Sequence, residues 1–346
     1  MKKNLIVGQS GGPTAVINGS LYGVVTEAMR HTEEIDEIYG MINGIEGFLN
    51  GHMMDMRSLI ETNELSLLRT TPGSYLGSCR YKLPEDLNDP VYPLLFNKFT
   101  SHGIGYFFYI GGNDSMDTIK KLSDYAIITG QTQKFLGVPK TIDNDLALTD
   151  HTPGYGSAAK YIGTSMKEII RDSFCLEYEK GVVSIVEIMG RNAGYIALWC
   201  GIANGAEDIL LPEKYDYDEQ KIINNIIENR KKGKKHHIII NAEGIGHSQA
   251  MAKRIEAATG IETRATILGH MQRGGSPTCK DRVYASTMGA LAVDVLLEGK
   301  TKRVIGYKNG EYVDFDINEA LAMQKSIPEY QYEISYSLSH NYSKND

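Results

Sequence analysis

The stretch Pro139-Lys140-Thr141-Ile142-Asp143-Asn144-Asp145 (PKTIDND) follows directly on Phe135-Leu136-Gly137-Val138, a short apolar run that reads as a buried strand. Pro139 has no N–H to give to a sheet ladder, so the strand stops and Lys140, Asp143 and Asp145 fall on a loop at its carboxyl end. In open α/β sheets ligands sit at that edge, which makes these three ionisable groups candidates for substrate chemistry. A second reading stays open here, because Asp and Asn also turn a chain for purely local reasons.

The same pattern recurs along the chain. Leu5-Ile6-Val7 leads into GQSGGPTAVING, Tyr106 to Ile110 into GGNDSMDTIKKL, Val182 to Ile188 into MGRNAGYIAL, and Ile238 to Ile240 into NAEGIG. Strands alternating with helical patterns at this spacing predict βαβ units and parallel sheets covered on both faces, an α/β class. With 346 residues the chain has room for two domains at roughly 100–200 residues each.

Composition narrows the function. A net charge of -7 argues against a sequence-independent grip on nucleic acid, which depends on phosphate neutralisation by Lys and Arg. Any anion site must be a local basic cluster. Cys79, Cys175, Cys200 and Cys279 show no C-x-x-C spacing, so neither a zinc ligand set nor a disulfide framework is expected, and a reducing, cytoplasmic setting fits. The first apolar run is too short for a signal peptide core, and no segment approaches the roughly 18 apolar residues of a membrane span.

Three loops are candidates for phosphate chemistry. Gly8 to Gly12 is neither GxGxxG nor GxxxxGK[ST], yet paired glycines at a helix start let backbone N–H groups face an anion. Gly111-Gly112-Asn113-Asp114-Ser115 repeats the arrangement, with Asp114 or Ser115 as a candidate N-cap. ETRATILGHMQRGGSP, Glu262 to Pro277, gathers Arg264, His270 and Arg273 around a short apolar strand beside a Gly-Gly turn, and Arg191 follows another strand. Converging guanidinium groups in an acidic protein suggest a phosphate clamp, although each arginine alone would also suit a solvated surface. The basic run Lys231 to His237 reads as a solvated helix end turning at Gly233, and the last residues of the tyrosine- and serine-rich carboxyl terminus are expected to fray.

Taken together, SGGPTAVIN, GSCR, GGND, PKTIDND, MGR, the Glu of NAEG and ETRATILGHMQRGGSP stand in an order that resembles the phosphofructokinase family over about residues 3 to 325. The resemblance implies two doubly wound domains with the active site in the cleft between them. One domain would take residues 1–156 and 272–322 and hold the phosphoryl donor; the other, 157–271 and 323–346, would hold the sugar phosphate. The implied reaction is Mg²⁺-dependent phosphoryl transfer to the 1-hydroxyl of fructose 6-phosphate, a step of glycolysis. On that mapping Asp143 is the general base, Arg80 of GSCR stabilises the transferring group, and Gly11 and Gly12 contact the donor phosphates. Asp145, with Asn113 or Asp114, would hold Mg²⁺. Thr141, Met189, Gly190, Arg191, Glu243, Arg264, His270 and Arg273 would recognise the sugar phosphate. In this family the arginine matching Arg264 reaches a neighbouring subunit's site, which implies a homodimer or homotetramer.

Donor choice turns on Asp114 and Lys140. ATP-using members have glycine at both places, whereas the pyrophosphate-dependent branch resembles this chain in carrying Asp and Lys. An Asp there fills the volume of a nucleotide's α-phosphate, and like charges about 4 Å apart at an effective dielectric near 20 repel by about 4 kcal/mol. Lys140 would stabilise the leaving phosphate. Three departures accompany the resemblance: Asn113 replaces a metal-binding Asp, Val182 stands where many relatives place an arginine, for which Lys180 is the candidate substitute, and Tyr22 and Thr26 replace two effector-binding arginines. Weak regulation is therefore expected, although Lys232 and Lys234 remain at family effector positions. Three rival readings remain. An ATP-dependent phosphofructokinase would differ mainly at Asp114 and Lys140. A catalytically silent sugar-phosphate-binding subunit would have lost Asp143 or Arg80. A dinucleotide-binding oxidoreductase would need the missing GxGxxG.

Overall fold

A computed structural model describes residues 2–175 and 181–339. Lys180 and the chain end after Ser339, on which two of the expectations above fall, lie outside the described residues. The strands in chain order are β1 (Lys3–Gln9), β2 (Ile35–Met41), β3 (Met53–Asp55), β4 (Ile104–Gly111), β5 (Lys134–Pro139) and β6 (Val182–Ile188). They continue as β7 (Asp208–Leu210), β8 (His236–Ala242), β9 (Glu262–Ile267), β10 (Arg303–Lys308) and β11 (Glu311–Asp316). Two compact units result. The first runs to Ile142 and adds Leu146–Ser157 and Arg273–Lys325; the second comprises Asp143–Asp145, Ala158–Gln272 and the chain from Ser326.

The first unit holds a seven-stranded sheet in the order β11-β10-β5-β4-β1-β2-β3. β2, β1, β4, β5 and β10 run parallel, and β3 and β11 close the two edges antiparallel. Its central strands are apolar on both faces because both are covered. Leu5, Val7, Phe108, Ile110, Leu136 and Val138 pack against the helices Ile17–Ala28 and Cys279–Leu297. The alternating residues Ile6, Phe107, Tyr109 and Phe135 meet an aromatic layer built from Tyr92, Phe96 and Phe99 and the helix Asn113–Thr129. Helices on both faces make the unit doubly wound.

The second unit has an all-parallel four-stranded sheet, β7-β8-β6-β9. Val183, Ile185 and Ile239 pack on the helices Glu219–Lys231 and Ser248–Thr259 through Ile222, Ile226, Met251 and Ile255. The first of these helices ends in the basic run, and Gly233 takes φ +90 just beyond it, as the sequence suggests. β9 is less apolar than its sequence context implied: it is an edge strand, and Glu262, Arg264 and Ile267 are exposed. Charges on an edge strand oppose pairing with another chain.

Two features fix the elements around the loops of the first unit. The helices Ile17–Ala28 and Cys279–Leu297 meet backbone to backbone, since a Cβ on Gly23 would lie 2.0 Å from Ser286 O and one on Gly289 2.2 Å from Ser20 O. Beneath the start of the second helix, the fully buried Asp281 accepts from Ser157 N and Oγ at 2.6 and 2.5 Å and lies 2.6 Å from His151 Nε2. That carboxylate anchors the segment leading out of PKTIDND. Adding one methyl at the helix crossing forces the two backbones apart, an overpacking cost of about 2–3 kcal/mol. Gly289→Ala is expected to lower the melting temperature by about 5 °C or more in a thermal unfolding scan, whereas a change confined to a degree would show that the crossing yields.

Candidate active site

In the first unit β1 and β4 lie side by side, while the helix after β1 leads to β2 on one side and the helix after β4 leads to β5 on the other. Such a switch point opens a crevice at the carboxyl ends of the two strands. The glycine loop Ser10-Gly11-Gly12 leaves β1 there, Gly112-Asn113-Asp114 leaves β4, and Lys140-Thr141 leaves β5.

Lys140 is the centre of this arrangement. Its side chain is buried, and Nζ donates to Ser10 O at 2.8 Å and Gly12 O at 2.7 Å, while its N–H donates to Gly111 O at 2.9 Å. A buried ammonium requires such partners, and satisfying it fixes the path of the loop above it. Gly11 takes φ +76, a left-handed conformation open to glycine. Its N–H donates to Cys79 O at 3.0 Å and its carbonyl accepts from Ser78 Oγ at 2.6 Å, so the GSCR segment is clamped to the glycine loop. Cys79 itself is buried with Sγ 3.5 Å from the Tyr109 hydroxyl. Arg80 follows, exposed and without a hydrogen-bond or ion-pair partner among the described residues. The Arg273 guanidinium lies against Gly12, where a Cβ would come within 2.8 Å of Cζ. The structure thus brings together Gly11, Gly12, Lys140 and Arg273, with Arg80 next to the clamp.

The second phosphate-loop candidate differs from expectation in its cap. Gly112, extended at φ -88 and ψ -157, is the N-cap of the helix Asn113–Thr129, and Asp114 and Ser115 lie inside the first turn. Residue 111 must be glycine because a Cβ there would collide with Ser115 Oγ at 1.8 Å, so the chain is already helical by Asn113. Asp114 adds a carboxylate to the positive end of that helix. It also pairs with Lys82 at 2.9 Å, a residue the sequence reading passed over because nothing in its spacing distinguishes it from a surface lysine. With the Asp114 side chain 58% exposed and its charge countered by Lys82, water screening weakens the electrostatic argument for excluding a nucleotide.

Asp143 and Asp145 are half-buried and flank Asn144, which is buried in the left-handed region at φ +53. Asn tolerates this conformation better than most side chains, which explains the residue type between the two acids. Both aspartates group with the second unit. There, burial pushes the Tyr195 phenol up, and the carboxylates of Glu213 and Asp145 add to the shift.

The remaining loops of the second unit leave β6 and β8. Met189-Gly190-Arg191 follows β6, and Glu243 follows β8 with its N–H donating to Ile188 O at 2.8 Å. Glu243 Oε1 accepts from Gly190 N at 3.3 Å and Arg191 N at 2.6 Å. Arg191 has φ +51, costing about 1 kcal/mol or more for a non-glycine residue, and the Glu243 carboxylate holds it there. Gly244 must lack a side chain, because a Cβ would lie 2.2 Å from Arg191 O. Buried Gln272 accepts from Met189 N at 3.0 Å and donates to Gly269 O at 2.9 Å, tying the β6 loop to the short 3-10 turn Gly269–Arg273 that carries exposed His270. Gln272 was also missed, although an amide inside a dense motif is a legible sign of an internal tie.

Arg264 pairs with Ser184 in the middle of the β6–β9 ladder, and its guanidinium is held by Glu262 at 2.7 Å and Asp172 at 3.3 Å. Val182 is buried at the start of β6. Tyr22 is half-buried beneath the Arg69 guanidinium, 5.2 Å from the ring centre, and Lys234 is ion-paired with Glu207.

Comparison with known proteins supplies the family. A family model described as Phosphofructokinase matches residues 4–296. An ATP-dependent 6-phosphofructokinase of Clostridium acetobutylicum is 41% identical over 337 residues, covering 97% of this chain and 99% of its own length. An ATP-dependent 6-phosphofructokinase 1 of Clostridium perfringens is 41% identical over 341 residues, with coverage of 97% and 99%. Among solved structures, a pyrophosphate-dependent phosphofructokinase of Nitrosospira multiformis superposes with a TM-score of 0.87 at 29% identity, covering 100% of this chain and 95% of that one. A pyrophosphate-dependent phosphofructokinase of Marinobacter aquaeolei gives 0.84 at 32% identity, with coverage of 99% and 92%. From its motif order, its doubly wound first unit and these matches, the chain belongs to the phosphofructokinase family.

Proposed function

We propose that the protein transfers a phosphoryl group reversibly from pyrophosphate to the 1-hydroxyl of fructose 6-phosphate, giving fructose 1,6-bisphosphate and phosphate. The observation that supports this donor is Lys140, whose ammonium lies buried beneath Ser10–Gly12. Pyrophosphate has no adenosine to pack, so its binding must come from charge and hydrogen bonds, and a fixed cation under the donor loop supplies charge. ATP is the second reading, favoured by the two Clostridium relatives, which are named as ATP-dependent.

In the forward direction Asp143 takes the proton of the 1-hydroxyl as its oxygen bonds to the transferring phosphorus, and the bridging P–O bond of pyrophosphate breaks. Charge developing on the departing phosphate is countered by Lys140, and that on the transferring group by Arg80, which has the freedom to reach it. Gly11 and Gly12 line the donor side. Thr141, Met189, Gly190, Arg191, His270 and Arg273 would hold the sugar phosphate, with Glu243 fixing the Arg191 loop and offering Oε2 to a hydroxyl. Arg264, from its edge strand, would serve a neighbouring copy. One or two carboxylates plus substrate phosphates are the usual ligands of Mg²⁺, and Asp145, with Asn113 or Asp114, would be the residues to hold it. When bound, the ion would neutralise charge on the donor oxygens. The first unit would then be the donor side and the second mostly the sugar-phosphate side.

Initial rates with fructose 6-phosphate and Mg²⁺ decide the donor. Pyrophosphate is expected to give a kcat/KM about a hundredfold above that with ATP, and Asp114→Gly alone will not make an efficient ATP enzyme while Lys140 remains; the opposite ranking in the wild type would transfer the protein to the ATP reading. Glu243→Ala is expected to raise the KM for fructose 6-phosphate about tenfold or more with a smaller change in kcat, because two N–H groups lose their acceptor and Arg191 its restraint. An unchanged KM would remove Glu243 from sugar recognition. With Tyr22 and Thr26 in place of cationic residues and Lys234 neutralised by Glu207, nucleoside diphosphates and phosphoenolpyruvate are expected to leave the saturation curve for fructose 6-phosphate in place, a result that a severalfold shift would contradict.

A further inference from the structure

On the helix-covered face of the first unit, the crossing of Ile17–Ala28 with Cys279–Leu297 places Glu27 and Asp294 near each other, and His31 follows in the turn after the first helix. Among the described residues, Glu27, His31 and Asp294 are the group of metal-ligating side chains whose donor atoms all lie within 4.8 Å of one another. His31 Nε2 is 3.1 Å from Glu27 Oε1 and 3.4 Å from Asp294 Oδ1. Ligands about 2.0–2.1 Å from a tetrahedral zinc ion stand about 3.3 Å apart, so His31 already has nearly the separation from each carboxylate that such an ion imposes, and the two carboxylates lie within 4.8 Å of each other. We propose that Glu27, His31 and Asp294 form a site for a divalent transition-metal ion of the zinc class, completed by solvent, that ties the two helices together.

The surroundings support a ligand set. His31 Nδ1 faces Glu34 Oε2 at 3.9 Å, so a carboxylate is available to the ring nitrogen that would carry the proton when Nε2 binds a metal. The second oxygen of Glu27 is held by Arg30 at 3.1 Å, which orients the carboxylate and leaves Oε1 toward His31. The backbone is equally restrained: Ile35 N and Glu34 N both donate to His31 O, and Glu298 N donates to Asp294 O. The three side chains are partly buried, at 13%, 32% and 45% exposure for Glu27, His31 and Asp294, so water is partly excluded without closing the entry path. One imidazole and two carboxylates suit zinc or cobalt, whereas magnesium prefers oxygen donors and retains its waters. Because Ile17–Ala28 begins just after the glycine loop, an ion at its far end would fix the element that carries that loop.

A protonated His31 bridging two carboxylates is the alternative that produces the same contacts, and titration separates the two. Chelator-treated protein in excess Mg²⁺ would be titrated with Zn²⁺ by calorimetry and with Co²⁺ by visible absorption. The expected result is saturable binding of one ion per chain at this site, Co²⁺ bands of a low-coordinate centre, and a rise in melting temperature with Zn²⁺. His31→Ala and Asp294→Asn should each weaken that binding at least about tenfold and abolish the thermal shift, while Glu33→Gln leaves both unchanged. Absence of saturable binding by the wild type, or identical affinity and stoichiometry in wild type and either of the first two variants, would overturn the site. Asp294→Asn preserves side-chain volume, so it decides the matter if His31→Ala proves poorly folded.

Discussion

A positive charge buried under a turn of backbone sets the terms for the rest of this molecule. Lys140 cannot be removed from water without partners, and the carbonyls of Ser10 and Gly12 are the groups that meet it. Once they point downward, the N–H of Gly11 is available to Cys79, the GSCR segment is drawn in, and Arg80 is delivered to the edge of the loop. β1, β4 and β5 supply the geometry, because three neighbouring parallel strands release their loops at one sheet edge. The shape of this loop cluster thus follows from strand order and one buried amine.

The second unit solves a different problem with the opposite charge. The β6 loop adopts a conformation that L-residues disfavour, at Gly190 and again at Arg191, and a single carboxylate oxygen of Glu243 holds it. Gln272 performs the neighbouring task with a neutral amide. In both units the residues that position the candidate site act largely on backbone atoms, so their effect passes through loop shape before it reaches any ligand.

The sequence disclosed the architecture because apolar runs ending in glycine or proline are dictated by burial on both sheet faces. Val182–Ile188 is a strand at the bounds read from its residues, and Leu5–Val7, Tyr106–Ile110 and Ile238–Ile240 are the centres of strands one or two residues longer at each end. What stayed hidden depends on chain reversals that no local pattern encodes. Lys82 reaching Asp114, Gln272 reaching Met189 and Arg264 turning to Asp172 are contacts between residues far apart in the chain. The helix cap at Gly112 was misread for a related reason: Asp and Ser are good caps in isolation, but the packing of Ser115 against Gly111 starts the helix earlier. The edge position of β9 likewise follows from sheet order alone.

The packing around Cys79 bears on how the protein meets oxidants and labelling reagents. Its sulfur sits where Gly44 has no side chain, a Cβ there falling 2.7 Å from Sγ, and the Tyr109 hydroxyl lies 3.5 Å from it. Added oxygen atoms or an alkyl group have no volume to enter, and Cys200 is equally sheltered, its thiol pushed up to about 12 by burial. The exposed Cys175 and Cys279 therefore take thiol-directed reagents first, and probes can be attached to the folded protein without disturbing the loop packing around Cys79.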